Sequence, residues 1–207
     1  TVGLGQTLEL EAQERAPRNL EEFDTMFRDL SNWGRWGADD EIGTLNLITP
    51  AKVQEAAQLV QQGITVSLSH NPMPDPAIDN PDAAFDHTMG RTFRSDTYSF
   101  TYHGYAVSHI DALCHFAHDG RLYNDVPTSA SNAEGCSKNA IHNMKQGVIT
   151  RGILLDFPRL KGVPYLEPQT PIYIEDIEAW EREAGIRVSS GDVIFVYTGR
   201  WARREAV

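Results

Sequence analysis

The chain has 207 residues, of which 18 are basic and 29 acidic, giving a formal net charge of −11. The length allows one domain or at most two small ones, and a hydrophobic share of 41% with 23% charged residues excludes a disordered, collagenous or coiled-coil protein. The acidic balance argues against a nucleic-acid partner, and no apolar run approaches the roughly 18 residues that a membrane span needs.

The first part of the chain predicts two helices separated by a loop. Residues 8–30 combine many Glu and Arg residues with apolar residues at helical spacing, which predicts an amphipathic helix. Residues 32–43 are rich in Gly and Asp and predict a structured loop. Thr49 is a good N-cap and Pro50 suits the first helical position, so a second helix is expected to begin here and to end at Gly63.

The rest of the chain is dominated by predicted strands, because apolar and polar residues alternate or apolar residues run together. The expected strands are 64–68, 92–103, 107–112, 147–157 and 192–198, and the last is apolar enough to predict burial on both faces. Four prolines exclude regular structure over 71–81, and a helix is expected over 174–184, ending at Gly185. Several strands follow one another without a helix, so we predict a mixed α/β fold with a partly antiparallel sheet.

The two cysteines, Cys114 and Cys136, are too few for a disulfide framework. Cys114 alternates away from the face of His109 and is expected to be a packed thiol rather than a nucleophile. A reducing compartment fits the use of only two cysteines. The first residues lack the basic start and the apolar core of a secretory signal. Together these features predict a cytoplasmic location.

The stretch HGYAVSHIDALCHFAHDG contains four of the seven histidines. On a strand, His109 and Asp111 point the same way, about 7 Å apart at their Cα atoms, so both can converge on one ion. His115 reaches the same place only if the chain turns or becomes helical after Ala112. An imidazole with a carboxylate suits Zn²⁺, Mn²⁺ or Fe²⁺ better than Ca²⁺ or Mg²⁺. Each histidine taken alone also fits an ordinary hydrogen-bonded position, so the prediction of a metal site rests on the combination.

The segment SHIDALCHF resembles the metal-binding signature of the cyclase family, which includes bacterial kynurenine formamidases and isatin hydrolases. Three further blocks resemble the longer members of that family, in the same order along the chain: NWGRWGADDEIGTLNLITP, RGILLDF and SGDVIFVYTGR. A match of four separated blocks in sequence and order is specific. The resemblance implies a mixed sheet or a barrel-like β/β/α core with flanking helices.

The resemblance also implies a metal-dependent hydrolase with one or two divalent ions, Zn²⁺ or Mn²⁺ ahead of Fe²⁺. His109 and Asp111 match the family's ligand positions, and His115 matches the histidine that transfers protons. Compact members have a further ligand histidine at the position of Tyr105 here. The nearest histidine is His103, which on a straight strand would lie roughly 20 Å from His109. His103 can therefore ligate only if the chain reverses beside it, and the assignment of this ligand stays open.

The reaction that the resemblance implies is hydrolysis of a C–N bond in a small amide, formamide or lactam. Five aromatic residues are candidates for a pocket around a flat substrate, with ordinary packing as the alternative for each: Trp33, Trp36, Phe100, Tyr102 and Tyr105. A cyclase or dehydratase acting on a hydroxylated ring is a second interpretation, and a non-catalytic truncated subunit is a third. The expected partners are the small-molecule substrate and further copies of the chain, since family members are usually homo-oligomers.

The matching blocks imply one cyclase-like domain over 1–207, with 1–48 forming an N-terminal helix and a Trp- and Gly-rich arm. Longer members of the family continue well beyond this length and carry another histidine and an acidic residue near the metal. The resemblance therefore implies a domain that is incomplete at its C-terminus and a site that lacks ligands supplied later in the chain.

Overall fold

The computed structural model describes residues 16–77, 85–92, 94–101, 103–104 and 107–207. The chain divides into two compact units, one formed by Thr1–Leu59 with Gln146–Val207 and the other by Val60–Lys145. None of the helices in the described ranges combines the length and the apolar composition that a membrane span requires.

Helix α1 (Leu20–Leu30) begins later than the helix predicted over 8–30. Asn19 is its N-cap and accepts a hydrogen bond from the backbone N–H of Glu22 at 2.9 Å. Residues 16–19 are not helical, and residues 8–15 of the prediction lie outside the described residues. The cap therefore fixes the start of the helix within the charged segment, where charge pattern alone does not mark it.

Helix α2 (Pro50–Ala57) begins where the sequence predicts. The Thr49 hydroxyl accepts a hydrogen bond from the Lys52 backbone N–H at 3.2 Å, which confirms the predicted cap. The predicted end at Gly63 is wrong, because the helix ends six residues earlier. Val60, the last apolar residue of the predicted stripe, is 71% exposed and so provides no packing that would extend the helix.

Strands β1 (Phe85–Met89) and β2 (Asp96–Phe100) form an antiparallel hairpin in the unit Val60–Lys145. β2 lies inside the predicted range 92–103 but is shorter. The strand predicted over 64–68 is wrong, since these residues take no regular structure and their large apolar side chains are between 67% and 74% exposed. Alternation alone does not hold a strand that has no partner strand or apolar face to cover it.

Short elements follow in the same unit around a small core of Ala112, Cys114 and Leu122. Leu113–His115 forms a 3₁₀ helix, and two hairpins of two-residue strands come next: β3 (Arg121–Leu122) with β4 (Val126–Pro127), and β5 (Ser131–Asn132) with β6 (Gly135–Cys136). The strand predicted over 107–112 is wrong, because these residues pair with no described strand and lead directly into the 3₁₀ helix.

In the other unit, two parallel strands are joined through helices. β7 (Gly152–Asp156) pairs with β8 (Val193–Tyr197), and helices α3 (Phe157–Lys161) and α4 (Ile174–Ala184) lie in the connection between them. Both strands lie inside their predicted ranges, and α4 has its predicted bounds. Gly185 ends α4 with a φ of +66°, the left-handed conformation typical of a helix C-cap. Helix α5 (Arg200–Ala206) follows β8.

The core of the unit that contains β7 and β8 consists of Ile153, Leu155 and Phe157, each at most 4% exposed. Ile177 and Trp180 of α4 pack against them. The prediction that the last strand is buried on both faces is wrong, since four of the five β8 residues are 41–52% exposed. Among the described strands β8 pairs only with β7, so it lacks the cover that parallel strands have in larger sheets.

The mixed α/β fold predicted from the sequence is confirmed. The described strands form one parallel and three antiparallel pairs, with helices beside them. Within the described ranges these pairs do not close into a barrel, so the mixed-sheet form of the prediction is the one that the structure supports.

Candidate metal centre

A backbone carbonyl orients His109. Its Nδ1 lies 2.7 Å from the carbonyl oxygen of Val107; a carbonyl can only accept, so Nδ1–H donates and Nε2 keeps its lone pair. Nε2 lies 3.6 Å from Asp111 Oδ2, which is too long for a direct hydrogen bond. Two lone pairs facing each other near this distance suit a shared cation, since ligand atoms of one tetrahedral zinc ion are roughly 3.3 Å apart. Donation to a backbone carbonyl is also how metal-ligating histidines are commonly fixed.

His103 approaches the same carboxylate because the chain reverses beside it. The backbone has φ +59° at His103 and +145° at Gly104, and only glycine adopts the second value readily. His103 Nδ1 lies 2.7 Å from Asp111 Oδ1, and the ring centroids of His103 and His109 are 5.4 Å apart. The chain reversal that His103 needs in order to approach His109 is therefore present.

One ligand atom from each of His103, His109 and Asp111 lies within 4.8 Å of the others. Asp111 Oδ1 is buried, and no group in the described part of the chain donates an aligned hydrogen bond to it, although His103 is near. A buried carboxylate oxygen without a donor is costly, and a cation would offset that cost. Two imidazoles and a carboxylate suit Zn²⁺, Mn²⁺ or Fe²⁺, so the residues fit a divalent metal.

The group is open on one side. The side chain of His109 is 18% exposed and that of Asp111 is 27% exposed, whereas His103 is 53% exposed. Catalytic metal sites differ from structural ones in keeping a coordination position for water or substrate. The exposure of the His103 side chain leaves room for water or substrate at this edge of the group.

His115 lies beside this group on the 3₁₀ helix Leu113–His115. The helix begins directly after Ala112, which is the condition under which His115 can approach the site, and the His115 N–H donates to the Ala112 carbonyl at 3.0 Å. The ring centroids of His115 and His103 are 4.6 Å apart. Because His115 is exposed, its ring is accessible both to solvent and to a molecule held at the neighbouring residues.

Comparison with known proteins decides the family. The Cyclase family model, described as "Putative cyclase", matches residues 63–206, well over half of the chain. This chain belongs to the cyclase family. It is similar to a crystal structure described as that of a novel cyclase, with a TM-score of 0.74 and 29% sequence identity over 83% of this chain and 62% of that chain. The chain thus spans less than two thirds of the length of that cyclase structure. No curated protein matches it.

In this cyclase-family chain, Cys114 and Cys136 form a disulfide that joins the 3₁₀ helix to β6, with their Cα atoms 6.4 Å apart. The prediction of a free thiol at Cys114 is therefore wrong, although its burial is confirmed at 4% exposed. The pairing depends on two hairpins bringing residues 22 positions apart together, which the sequence does not show. Disulfides are typical of oxidising compartments, so the cysteines no longer support a reducing compartment. The cytoplasmic location stays a prediction.

Three of the predicted substrate-binding aromatics belong to the unit that contains the candidate metal centre. Phe100 lies on β2, where its ring packs against Phe85 with centroids 5.0 Å apart. Tyr102 and Tyr105 lie outside the described residues. Contact of these three residues with a substrate stays a prediction.

The two tryptophans predicted to line a pocket, Trp33 and Trp36, belong to the other unit of the chain. Trp33 meets the ring of Phe27 edge-on at 5.7 Å, and the guanidinium of Arg35 lies 4.9 Å from the ring centroid of Trp36. These contacts match the packing alternative that the sequence left open. Their part in substrate binding stays a prediction.

The sequence did not reveal the residue that positions the 3₁₀ helix Leu113–His115. Asn139 is 1% exposed; its carbonyl accepts a hydrogen bond from Cys114 N–H at 3.1 Å, and its Nδ2 donates to the Tyr123 carbonyl at 2.9 Å. Its φ of +57° suits asparagine better than most other residues. An asparagine in a turn is too common a feature to have marked this role.

Proposed function

We propose that this cyclase-family chain is a metal-dependent hydrolase that cleaves a C–N bond in a small amide, formamide or lactam. The observation that supports the proposal is the convergence of His103, His109 and Asp111, whose ligand atoms lie within 4.8 Å of one another. These residues would hold one or two divalent cations, Zn²⁺ or Mn²⁺ ahead of Fe²⁺.

A cation held by these residues would polarise a water molecule and the substrate carbonyl. Asp111 contributes the negative charge that partly neutralises the cation, and its buried Oδ1 gains a partner. Val107 keeps the proton of His109 on Nδ1, so that Nε2 faces the site as a ligand atom. The exposed edge at His103 admits the substrate.

His115 has the role of general acid and base in this proposal. Its ring lies 4.6 Å from that of His103, within reach of a water molecule or substrate held beside the ligands. It accepts a proton from the attacking water and then delivers a proton to the leaving nitrogen. Without that delivery the amine would have to leave as an anion, which is a poor leaving group.

A cyclase or dehydratase acting on a hydroxylated ring is the second candidate, and the family description favours it. The same ligands would polarise a ring carbonyl, and His115 would protonate a departing hydroxyl group. A non-catalytic subunit is the third candidate. The match covers 62% of the similar cyclase structure, and the active site of a protein of that length can include residues outside the matched part.

The direct experiment compares the products of three substrate classes. The purified chain is supplied with Zn²⁺ or Mn²⁺ and incubated with N-formyl arylamines, aromatic lactams and hydroxylated cyclic ketones, and mass spectrometry identifies the products. Hydrolysis adds the mass of water to a lactam or splits a formamide into formate and amine. Loss of water from the hydroxylated ring alone would replace the proposal with the second candidate, and a metal-loaded chain inactive on all three classes would support the third.

We also propose that the chain forms a homo-oligomer. Side chains of β8 that are 41–52% exposed, including Ile194, Phe195 and Val196, support an association surface on this strand. Size-exclusion chromatography with light scattering measures the mass directly. A single species with the mass of one chain at every concentration tested would contradict the proposal.

A further inference from the structure

Cys114, His115 and Cys136 form a second group of ligand atoms, all within 4.8 Å of one another. Cys114 and His115 are neighbours on the 3₁₀ helix, and Cys136 is the last residue of β6. Cys114 is 4% exposed, Cys136 is half-buried and His115 is exposed. The group therefore has a buried sulfur at one side and an open imidazole at the other.

We propose that this group is a redox-gated metal site, which the disulfide closes and which reduction opens to a thiophilic divalent cation such as Zn²⁺. A dithiol reductant transfers two electrons and two protons to the disulfide, yielding two cysteine thiols and the cyclic disulfide of the reductant. The cation then displaces both thiol protons and binds two thiolates and the neutral imidazole. Two sulfurs and one nitrogen, with a position left for water, are a known donor set of zinc.

In addition to the disulfide, backbone hydrogen bonds hold the two cysteines near each other. The Cys114 N–H donates to the Asn139 carbonyl at 3.1 Å, and the N–H of Ser137, the neighbour of Cys136, donates to the Ala130 carbonyl at 2.8 Å. Two thiolates on one zinc ion are roughly 3.8 Å apart, because each Zn–S bond is about 2.3 Å long. With the Cα atoms 6.4 Å apart, rotation of the two side chains supplies this separation without moving the backbone.

His115 connects the two ligand groups. Its ring centroid lies 4.6 Å from that of His103 in the first group, while a ring nitrogen belongs to the second group. A cation on the two thiolates and His115 would remove the lone pair that proton transfer needs. Reduction in the presence of Zn²⁺ would then inhibit the reaction, a consequence that rests on the proposed function, whereas the binding itself does not.

Cobalt is the probe for the second group, because Co²⁺ replaces Zn²⁺ and its thiolate complexes absorb in the near ultraviolet through charge transfer. The full chain is reduced with dithiothreitol, separated from the reductant under argon and titrated with Co²⁺, with the oxidised chain titrated in parallel. We expect a saturable charge-transfer band from the reduced chain and none from the oxidised chain. Asp111→Asn should keep the band, because Asp111 belongs to the first group.

The Cys136→Ser variant should show no charge-transfer band. Its Co²⁺ affinity at this group should fall by more than the roughly 10- to 100-fold that follows from losing a hydrogen-bond partner of a metal ligand, because a ligand itself is removed. A band of equal size from the oxidised chain, no band from a reduced chain with two reactive thiols, or a band that survives Cys136→Ser would overturn the proposal. Far-ultraviolet circular dichroism checks that the variant folds; if it does not, the two redox states of the unmodified chain decide. Failure of the proposed function would instead appear as a lack of turnover and would leave the band unchanged.

Discussion

Lys52 and Asp192 form a buried ion pair between α2 and the residue that precedes β8. Lys52 Nζ lies 2.7 Å from Asp192 Oδ1, and the two side chains are 7% and 0% exposed. The Arg151 guanidinium also binds the carboxylate, with Nε 2.9 Å from Oδ1, and the Ser189 N–H donates to Oδ2 at 2.7 Å. The hydrogen bond from Arg151 is the main cause that holds the pKa of Asp192 well below its ordinary value, with smaller contributions from Lys52 and Ser189.

Asp192→Asn should reduce the free energy of unfolding by about 3–5 kcal/mol, because it leaves the buried Lys52 ammonium without its main partner. Glu55, 3.7 Å from Lys52 and 60% exposed, compensates only weakly. Urea unfolding followed by tryptophan fluorescence measures the loss. Asp39→Asn makes the same chemical change at an exposed position, where an effect within about 0.5 kcal/mol is expected. Equal effects of the two substitutions would show that the Lys52–Asp192 pair contributes no specific stability.

The pH dependence of stability should also depend on Asp192. Because its folded pKa is lowered, its contribution is fully present above the unfolded pKa of about 3.9 and is lost as the pH falls toward the folded pKa. Between about pH 6 and pH 3, the free energy of unfolding should therefore fall more steeply in the unmodified chain than in Asp192→Asn. Urea unfolding at several pH values tests this expectation, and parallel curves for the two proteins would contradict it.

Asp111→Asn should weaken Zn²⁺ or Mn²⁺ binding by more than about 100-fold, because it removes the one carboxylate of the candidate metal centre. Competition with a chromophoric chelator, using the oxidised chain, measures the affinity. Asp125→Asn is the matched control, since Asp125 is 72% exposed in the same unit and its φ of +63° is well tolerated by asparagine. Unchanged affinity in a folded Asp111→Asn variant would remove this residue from the site.

His115→Ala should keep the metal of the first group while reducing turnover by about 10²- to 10⁴-fold, the usual contribution of a general acid–base residue. The residue is exposed, so the substitution should leave the fold intact. His142→Ala, which removes another exposed histidine from the same unit, provides the control. Turnover that survives His115→Ala would exclude the proton-transfer role, whereas loss of metal together with activity would make His115 a ligand.

Alanine substitutions at Gly185 and Gly191 distinguish the cost of a left-handed backbone conformation from the cost of steric overlap. Gly191 and Gly185 both have positive φ, +80° and +66°, but an added Cβ at Gly191 would lie 2.5 Å from the Leu47 carbonyl oxygen, whereas Gly185 has open space. Gly185→Ala should cost about 1–2 kcal/mol from the left-handed conformation alone. Gly191→Ala should cost at least about 3 kcal/mol, because the Leu47 backbone must also move. Thermal and urea unfolding of both variants compare the two costs, and equal losses would contradict the close approach.

Elements with local signals were predicted well. Helix α4 carries Glu175 and Asp176 in its first turn and ends at Gly185, and the structure has the predicted bounds. The start of α2 follows from Thr49 and Pro50 for the same reason. By contrast, the alternating residues 64–68 form no strand, because a strand requires a partner that local sequence does not specify.

The candidate metal centre was predictable in composition and only partly in geometry. The spacing of His109 and Asp111 and the need for a turn before His115 follow from the residues themselves. The position of His103 does not, because it depends on positive φ values at His103 and Gly104. The carbonyl of Val107 leaves no trace in the sequence, since every residue carries one.

The sequence by itself determined the mixed α/β class, the start of α2, both ends of α4, the blocks that resemble the cyclase family and the residue types of the candidate site. These depend on spacing along the chain and on chemistry that each residue carries with it. Tertiary structure alone decided that His103 reaches Asp111, that Cys114 pairs with Cys136 and that Lys52 and Asp192 form a buried ion pair. Such contacts arise because backbone reversals and packing bring distant residues together, and the energy of each contact depends on the burial that only the folded chain provides.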